Sequence, residues 1–282
     1  MRNPFGSCLN TSTLRGQGLS LPELVDVAAA AGYDGIEPWV REIDAYVDGG
    51  GTLADLARYV ADKGLAIPNL IGFFEWAVDD PQRRAAGLAE ARRNLEMAAV
   101  LGCPRVAAPP FGVTDVSVPL PALVERYRVL LGVGDEAGAA PMVEFWGASR
   151  TLSRLGEAVY VAMESGHRDA CVLADIFHMY RGGSPHSALR LAGPATLGLL
   201  HINDYPAQPP REALTDADRV YPGDGVAPLV QALRDLVAVG YSGMLSLELF
   251  NQDYWAQDAL AVARMGVAKV GALVSQAMGV GA

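Results

Sequence analysis

Four apolar runs in the second half of the chain each end in a side chain that can bind a metal ion. These side chains are Glu144, Asp175, His201 and Glu248. Taken singly, a charged residue in this position is more often a helix cap or a solvated group, because unpaired charges are rarely buried. Four of them in the same position indicate a shared site, and the three carboxylates would repel one another without a cation between them. The sequence therefore predicts one divalent metal ion, and this ligand set suits Mn²⁺, Mg²⁺, Co²⁺ or Zn²⁺.

The elements that must position these residues alternate regularly along the chain. Eight short β-like runs are separated by longer helical patterns, with no linker between them, and most of the runs are continuously apolar, as in parallel strands buried on both faces. Eight units of about 35 residues fit an α/β fold, the (β/α)8 TIM barrel of roughly 250 residues. We therefore predict a single domain over residues 1–282, in which the ends of the last four strands converge. The predicted strands cover residues 7–10, 35–39, 66–73, 105–109, 142–146, 171–175, 198–203 and 244–250.

Local signals for helix starts and stops support this reading. Ser20 and Thr52 are each followed three residues later by an acidic residue, which is typical of a capped helix start, and Pro81 is placed to open a third helix. Glycines precede several predicted strands and would end the helices before them. A doubly wound open sheet is the alternative fold, but no Gly-x-Gly-x-x-Gly sequence follows the first strand. The glycines are Gly32, Gly64, Gly102 and Gly240.

The connection over residues 205–225 is long and rich in proline and charge. Loops longer than about 12 to 15 residues in a compact domain are typical of lids or binding loops. Because it follows the seventh predicted strand, it would lie at the carboxyl ends of the barrel strands, where active sites of this fold are built.

Composition and charge exclude several classes of function. Lys and Arg number 22 against 32 Asp and Glu, a formal net charge of −10, which argues against nucleic acid as the partner. The first residues, 1–7, show no signal-peptide pattern, and no window holds roughly 18 uncharged apolar residues, so we expect no membrane partner. Three cysteines in apolar surroundings suit free thiols in a reducing compartment. We expect a cytoplasmic protein with a small-molecule substrate, and the sequence leaves the oligomeric state open.

The order Glu, Asp, His, Glu on four successive strands resembles the metal site of the xylose isomerase-like barrels. That family includes sugar isomerases, ketose 3-epimerases, inosose dehydratases and endonuclease IV. Residues 214–225 and 247–250 are also similar to the corresponding stretches of its inosose isomerase branch. The resemblance is good over about residues 141–269 and is only topological before them.

The resemblance implies roles for individual side chains. Glu144 and Glu248 would be the catalytic pair as well as metal ligands, one taking a proton from carbon and the other returning it. His178, three residues after Asp175, matches the family's histidine that contacts a substrate oxygen, and Arg219 matches an arginine that contacts the substrate.

Two weaker candidates for substrate binding come from their positions at strand ends. Glu37 ends the second predicted strand, where it could bind a substrate hydroxyl, although a cap or surface role is as common. Trp146 lies at the end of the fifth predicted strand, where its indole face could line a sugar pocket, although aromatic residues more often simply pack.

These residues predict a divalent-metal-dependent isomerase or epimerase of a small keto-sugar or keto-inositol. Its reaction would be proton transfer through a metal-stabilised enediolate. A ketose 3-epimerase or an inosose dehydratase is the nearest alternative. A nuclease like endonuclease IV needs a histidine-rich metal cluster, and the chain has four histidines in all. A sugar-binding barrel without turnover remains a further alternative, but it would not need an opposed pair of glutamates.

Overall fold

Parallel strands form one curled sheet in the computed structural model, which describes residues 3–279. Within that part of the chain there are seven strands, and their order is β2-β1-β7-β6-β5-β4-β3, with every neighbouring pair parallel. Seven of the eight predicted strands are thus confirmed, with shifts of a few residues at their ends. The strands are β1 (Gly6–Asn10), β2 (Gly35–Glu37), β3 (Arg105–Ala108), β4 (Ala140–Glu144), β5 (Val172–Asp175), β6 (Leu197–Ile202) and β7 (Met244–Leu247).

The prediction of a regular strand over residues 66–73 is wrong. Residues 66–71, which we call the bridging segment, instead pair through isolated bridges with the β2 side at Gly35 and Trp39 and with β3 at Val106. Pro68 lies in the middle of this segment and has no N–H to donate, so a continuous ladder cannot form there. The bridges still join the two edge strands of the sheet, β2 and β3. The fold is therefore a TIM barrel in which the irregular bridging segment takes the place of the eighth strand.

Helices surround this barrel, and their starts match the sequence signals. Ser20 and Thr52 are the N-caps of α1 and α3, Pro81 is the first residue of α4, and the four predicted stop glycines have φ between 68° and 90°. The helices are α1 (Leu21–Ala31), α2 (Val40–Asp48), α3 (Leu53–Asp62), α4 (Pro81–Val100), α5 (Leu120–Ala137), α6 (Leu155–Ser165), α7 (Ile176–Gly182), α8 (Leu229–Ala238), α9 (Gln252–Trp255) and α10 (Ala259–Ala277).

The last helix, α10, is apolar along most of its length. By length and composition alone it could cross a membrane, and 28% of its apolar stretch is buried inside the fold. It packs against α1 and α8, as a helix of the barrel's outer layer does. The predicted domain over residues 1–282 also includes residues 1, 2 and 280–282, which lie outside the described part.

The barrel has apolar material on both sides of its wall. A large cluster fills the space between the sheet and the helices, and a smaller one fills the barrel interior. Alternate residues of the strands belong to the two clusters, because successive side chains of a strand point to opposite faces. Met142, Leu173 and Leu199 belong to the interior cluster, and each lies two residues before one of the predicted metal ligands.

Candidate metal centre and active site

The predicted ligands lie at the carboxyl ends of the strands, and their side chains point into the barrel because side chains alternate between the two faces of a strand. Glu144 ends β4, Asp175 ends β5, His201 precedes the last residue of β6, and Glu248 follows β7 directly. Each lies two residues beyond an inward-facing position, so each points into the barrel rather than toward the helices. All four are buried.

Three of the four form a close group. Ligand atoms of Asp175, His201 and Glu248 lie within 4.8 Å of one another, and we call these residues the buried triad. His201 Nδ1 lies 3.0 Å from Glu248 Oε2 and 3.6 Å from Asp175 Oδ2, yet it makes no hydrogen bond with either. Burial would lower the pKa of His201, but the carboxylates around it raise that pKa well above its usual value. An orphaned ring nitrogen between two carboxylates favours a positive charge at this point and fits a divalent metal ion.

Glu37 lies directly behind the triad. Both of its carboxylate oxygens are 3.0 Å from His201 Nε2, and they also accept hydrogen bonds from Asn10, Asn69 and Ser246. Burial would raise the pKa of Glu37, but His201 and the hydrogen bonds from Ser246 and Asn69 hold it below its usual value. A carboxylate on the far nitrogen of a metal-binding histidine fixes the ring's orientation and its tautomer.

This placement puts Glu37 beneath the cavity, away from the position that the predicted substrate contact would require. Glu37 is 0% exposed, and its oxygens are fully engaged by protein donors. Nor does it belong to the lining of the cavity above the triad. The sequence showed that Glu37 ends a strand, but not that the neighbouring strands cover it.

Arg219 lies between the acidic members of the triad. Its Nη1 donates to Asp175 Oδ2 at 2.8 Å and to Glu248 Oε2 at 2.9 Å, while Nε and Nη2 donate to Asp216 Oδ1. The side chain is 1% exposed. Although burial would raise the pKa of Asp175, Arg219 and the nearby histidines hold it well below its usual value. The predicted binding loop therefore delivers a buried cation to the site.

A cavity of about 430 Å³ opens above the triad at the carboxyl face. One wall is aromatic, and the rings of Trp39, Phe73 and Trp146 meet edge to face. Glu144 and Glu248 both line the cavity, so the predicted catalytic pair faces one volume. The other lining residues are Ile71, Thr114, Asp115, Ala148, Ser149, His178, Asp216, Arg219 and Phe250.

Glu144 stands apart from the buried triad. It does not belong to the group whose ligand atoms lie within 4.8 Å of one another. Its Oε1 accepts a hydrogen bond of 3.0 Å from Trp146 Nε1. Burial raises the pKa of Glu144 to about 8, so its carboxyl group holds a proton near neutral pH. Trp146 thus lines the cavity as predicted and also contacts a predicted catalytic residue.

His178 lies in the first turn of α7, where its backbone N–H donates to Asp175 Oδ1 at 2.7 Å. Its Nε2 is 3.3 Å from Arg219 Nη2, and its Nδ1 is buried without a hydrogen-bond partner. Burial lowers its pKa. The structure therefore places His178 and Arg219 together on the cavity lining, where a substrate oxygen could meet both.

Several residues of the site were not singled out from the sequence. Asn10 pairs with Glu37 in the parallel register of β1 and β2, and it also donates to Glu248 Oε1 at 3.2 Å. Its position as a polar residue at the end of an apolar strand is the same signal that found the ligands. Asn69 lies in the bridging segment and Asp216 in the long connection, and no spacing in the sequence marks either of them.

A second cavity, of about 520 Å³, lies at the amino ends of the strands. Asp135, His167 and Asp169 could hold a metal ion there, but their side chains are exposed or half-buried. Catalytic residues of TIM barrels lie at the carboxyl face, so the cavity above the triad is the candidate active site.

Comparison with known proteins agrees with the fold and the site geometry. The family model described as xylose isomerase-like TIM barrel matches residues 25–265. The chain belongs to this family. It is an enzyme, and the resemblance noted from its sequence is confirmed. Inosose isomerase from Halalkalibacterium halodurans is 30% identical to this family member over 275 residues, which are 91% of the chain and 93% of the relative.

Two other relatives widen the comparison. The 3-dehydroshikimate dehydratase of Pseudomonas aeruginosa is 29% identical over 259 residues, which are 88% of this chain and 39% of that protein. Among solved structures, the IOLI protein with a bound zinc atom superposes with a TM-score of 0.89 at 24% identity, covering 96% of this chain and 99% of that one. The fold of this family member is thus shared with a protein that holds a metal ion.

Proposed function

We propose that this family member is a divalent-metal-dependent isomerase or epimerase of a small polyhydroxy ketone, such as a keto-sugar or a keto-inositol. The observation that carries the proposal is the pair Glu144 and Glu248 on one cavity, directly above the buried triad. The name of the Halalkalibacterium halodurans relative supports an inosose, that is, a keto-inositol, as the first compound to test.

Asp175, His201 and Glu248 would hold the metal ion, and Glu144 is the fourth ligand that the sequence predicts. The bound ion would polarise the substrate carbonyl and make the adjacent C–H more acidic. The absence of Glu144 from the close group supports a site with open positions for substrate oxygens, as catalytic metal sites have.

Glu144 and Glu248 would carry out the proton transfers. They come from β4 and β7, which β5 and β6 separate in the sheet, so they approach the cavity from different sides. One removes the proton from the carbon that carries the neighbouring hydroxyl group, and the other delivers a proton to the former carbonyl carbon. The hydroxyl proton passes to the former carbonyl oxygen, so the carbonyl moves by one carbon and the protons balance. Return of the proton to the opposite face of the same carbon gives epimerisation. His178 and Arg219 would donate hydrogen bonds to the oxygens whose charge changes.

Dehydration is the second candidate function. It begins with the same removal of a proton next to a carbonyl and ends with loss of a neighbouring hydroxyl group as water. The relative from Pseudomonas aeruginosa, named a dehydratase and 29% identical over 88% of this chain, favours it. The aromatic wall of the cavity would pack against a ring substrate in either reaction.

An NMR time course in D₂O tests the proposed function. The protein loaded with Mn²⁺ or Zn²⁺ is incubated with 2-keto-myo-inositol beside a chelator-treated control. We expect metal-dependent conversion to an isomer, with deuterium at the carbon that exchanged. Formation of an unsaturated product would favour dehydration. If neither this ketone nor a ketohexose exchanges hydrogen, the proposal fails.

Removal of Glu37's charge is expected to weaken metal binding through His201. In Glu37→Gln, the amide can accept at one oxygen only, so it no longer matches the four donors around it. Loss of such a partner of a metal ligand weakens metal binding about 10- to 100-fold. Titration calorimetry with Zn²⁺ measures this, with Glu96→Gln on the exposed face of α4 as control. An unchanged affinity would contradict the positioning role.

We also propose a cytoplasmic location. All three cysteines, Cys8, Cys103 and Cys171, are free and buried, which supports a compartment where thiols stay reduced.

A further inference from the structure

Four acidic side chains line the cavity above the triad, and one of them has a role that the proposed reaction does not explain. Glu144, Asp216 and Glu248 each accept hydrogen bonds from other side chains of the protein. The fourth is Asp115, which lies in the loop between β3 and α5. Within residues 3–279 its carboxylate forms no ion pair and accepts no hydrogen bond, and only its backbone carbonyl is engaged. This carboxylate is therefore open to a donor group that enters the cavity.

The backbone on both sides of Asp115 is bound to the segment that follows β4. The backbone N–H of Arg150 donates to the Thr114 carbonyl at 2.7 Å. Thr151 Oγ1 donates to the Val116 carbonyl at 2.6 Å. These hydrogen bonds hold Asp115 at the cavity before any ligand arrives, which lowers the ordering cost of binding.

The positive charge that lines the cavity is already engaged by the protein. Arg219 is the one arginine or lysine among the lining residues that the structure describes, and it forms ion pairs with three carboxylates. His178 also lines the cavity, but burial lowers its pKa and favours the neutral ring. A carboxylate or phosphate on a substrate would therefore compete with three carboxylates for Arg219 and would also meet Asp115. Other arginines that contact lining residues without belonging to the lining are Arg15, Arg41 and Arg150.

We propose that Asp115 determines specificity for a neutral polyhydroxy ketone. Its carboxylate accepts a hydrogen bond from a hydroxyl group of the substrate and repels a substrate that carries a carboxylate or a phosphate. This inference rests on the proposed function and names its substrate class. A hydroxyl group can donate to a carboxylate without adding charge, and such charge-assisted hydrogen bonds are stronger than neutral ones. Repulsion of a like charge disfavours the wrong substrate, which is the second way in which a site becomes specific.

Binding of two ring polyols that lack a ketone tests the inference. myo-Inositol is neutral and quinate carries a carboxylate, and titration calorimetry in the presence of Mn²⁺ gives the affinity for each. Asp115→Asn removes the charge but keeps an accepting oxygen, so quinate should gain about three- to tenfold in affinity relative to myo-inositol. Asp115→Leu also removes the acceptor and should weaken myo-inositol about tenfold. The ratio of the two affinities is compared between variants, because any contact of quinate with the metal ion is common to all of them.

Asp253→Asn is the matched control for the loss of one negative charge. Asp253 lies in α9, which follows β7, and it is exposed. It does not belong to the lining of the cavity, and within residues 3–279 its carboxylate forms no ion pair. We therefore expect Asp253→Asn to leave the ratio of the two affinities unchanged.

Two results would overturn the proposal. An equal change of the ratio in Asp115→Asn and Asp253→Asn would show a general effect of charge, and an unchanged affinity of Asp115→Leu for myo-inositol would show that no hydroxyl group meets this carboxylate. The proposed function is tested separately by hydrogen exchange from 2-keto-myo-inositol and a ketohexose. Exchange from neither ketone, with a ratio that still depends on Asp115, would refute the reaction and leave the specificity role standing.

Discussion

Replacement of Glu144 by glutamine is expected to lower kcat about a thousandfold, because a positioned acid or base contributes about 10²–10⁴-fold to a rate. Metal affinity should stay within about threefold, because the ligand atoms that lie close together belong to the other three residues. The glutamine oxygen can still accept the hydrogen bond from Trp146, so the side chain keeps its place. Turnover of the ketone substrate and calorimetry with Mn²⁺ measure the two effects.

Two matched variants complete this experiment. Glu248→Gln should lose turnover and also bind the metal ion more weakly, since Glu248 belongs to the triad. Glu96→Gln, on the exposed face of α4, should change neither. If Glu144→Gln binds the metal ion as weakly as Glu248→Gln does, Glu144 is a ligand as the sequence predicts. Full activity of Glu144→Gln would remove it from the acid and base pair.

Arg219→Met is expected to destabilise the protein strongly in the absence of added metal. The variant leaves the buried carboxylates of Asp175 and Glu248 without their shared guanidinium. Breaking a buried pair from one side costs about 3–5 kcal/mol of the free energy of unfolding. Urea denaturation in EDTA measures this loss, and Arg168→Met, a side chain 85% exposed, is the control.

The same variant should recover part of its stability when Mn²⁺ is added. A metal ion that binds the folded chain stabilises it, and here it would also supply the positive charge that the two carboxylates have lost. The destabilisation by Arg219→Met should therefore be smaller in Mn²⁺ than in EDTA. Equal destabilisation in the two conditions would show that the arginine and the metal ion do not share these carboxylates.

The sequence predicted the position of the candidate site because strand-end residues obey a simple geometry. An apolar run followed by a charged residue marks the end of a buried strand, and parallel strands of a barrel end on the same face. That reasoning brings Asp175, His201 and Glu248 together, and their ligand atoms lie within 4.8 Å of one another. It does not say how deep in the barrel each side chain lies. It therefore could not show that Glu144 lies apart from the triad, against Trp146, or that Glu37 lies beneath His201.

The one strand that was predicted wrongly also has a local cause. The apolar run over residues 66–73 satisfies the pattern of a buried strand, but Pro68 interrupts its hydrogen bonding. The role of Asn69 depends on the neighbours that the tertiary fold brings to it, since its amide donates to Glu37 from the bridging segment.

The hydrogen bonds that close the barrel are fewest at the bridging segment, so the sheet should open more easily there than between its regular strands. Amide hydrogens exchange with solvent fastest where hydrogen bonding is sparse, so those of residues 66–71 should exchange before those of the neighbouring strands. Asn69 lies in this segment and donates to Glu37, which in turn contacts His201. Each transient opening of the wall at this point would loosen a candidate metal ligand, and a bound ion would slow the exchange of amides that it never touches.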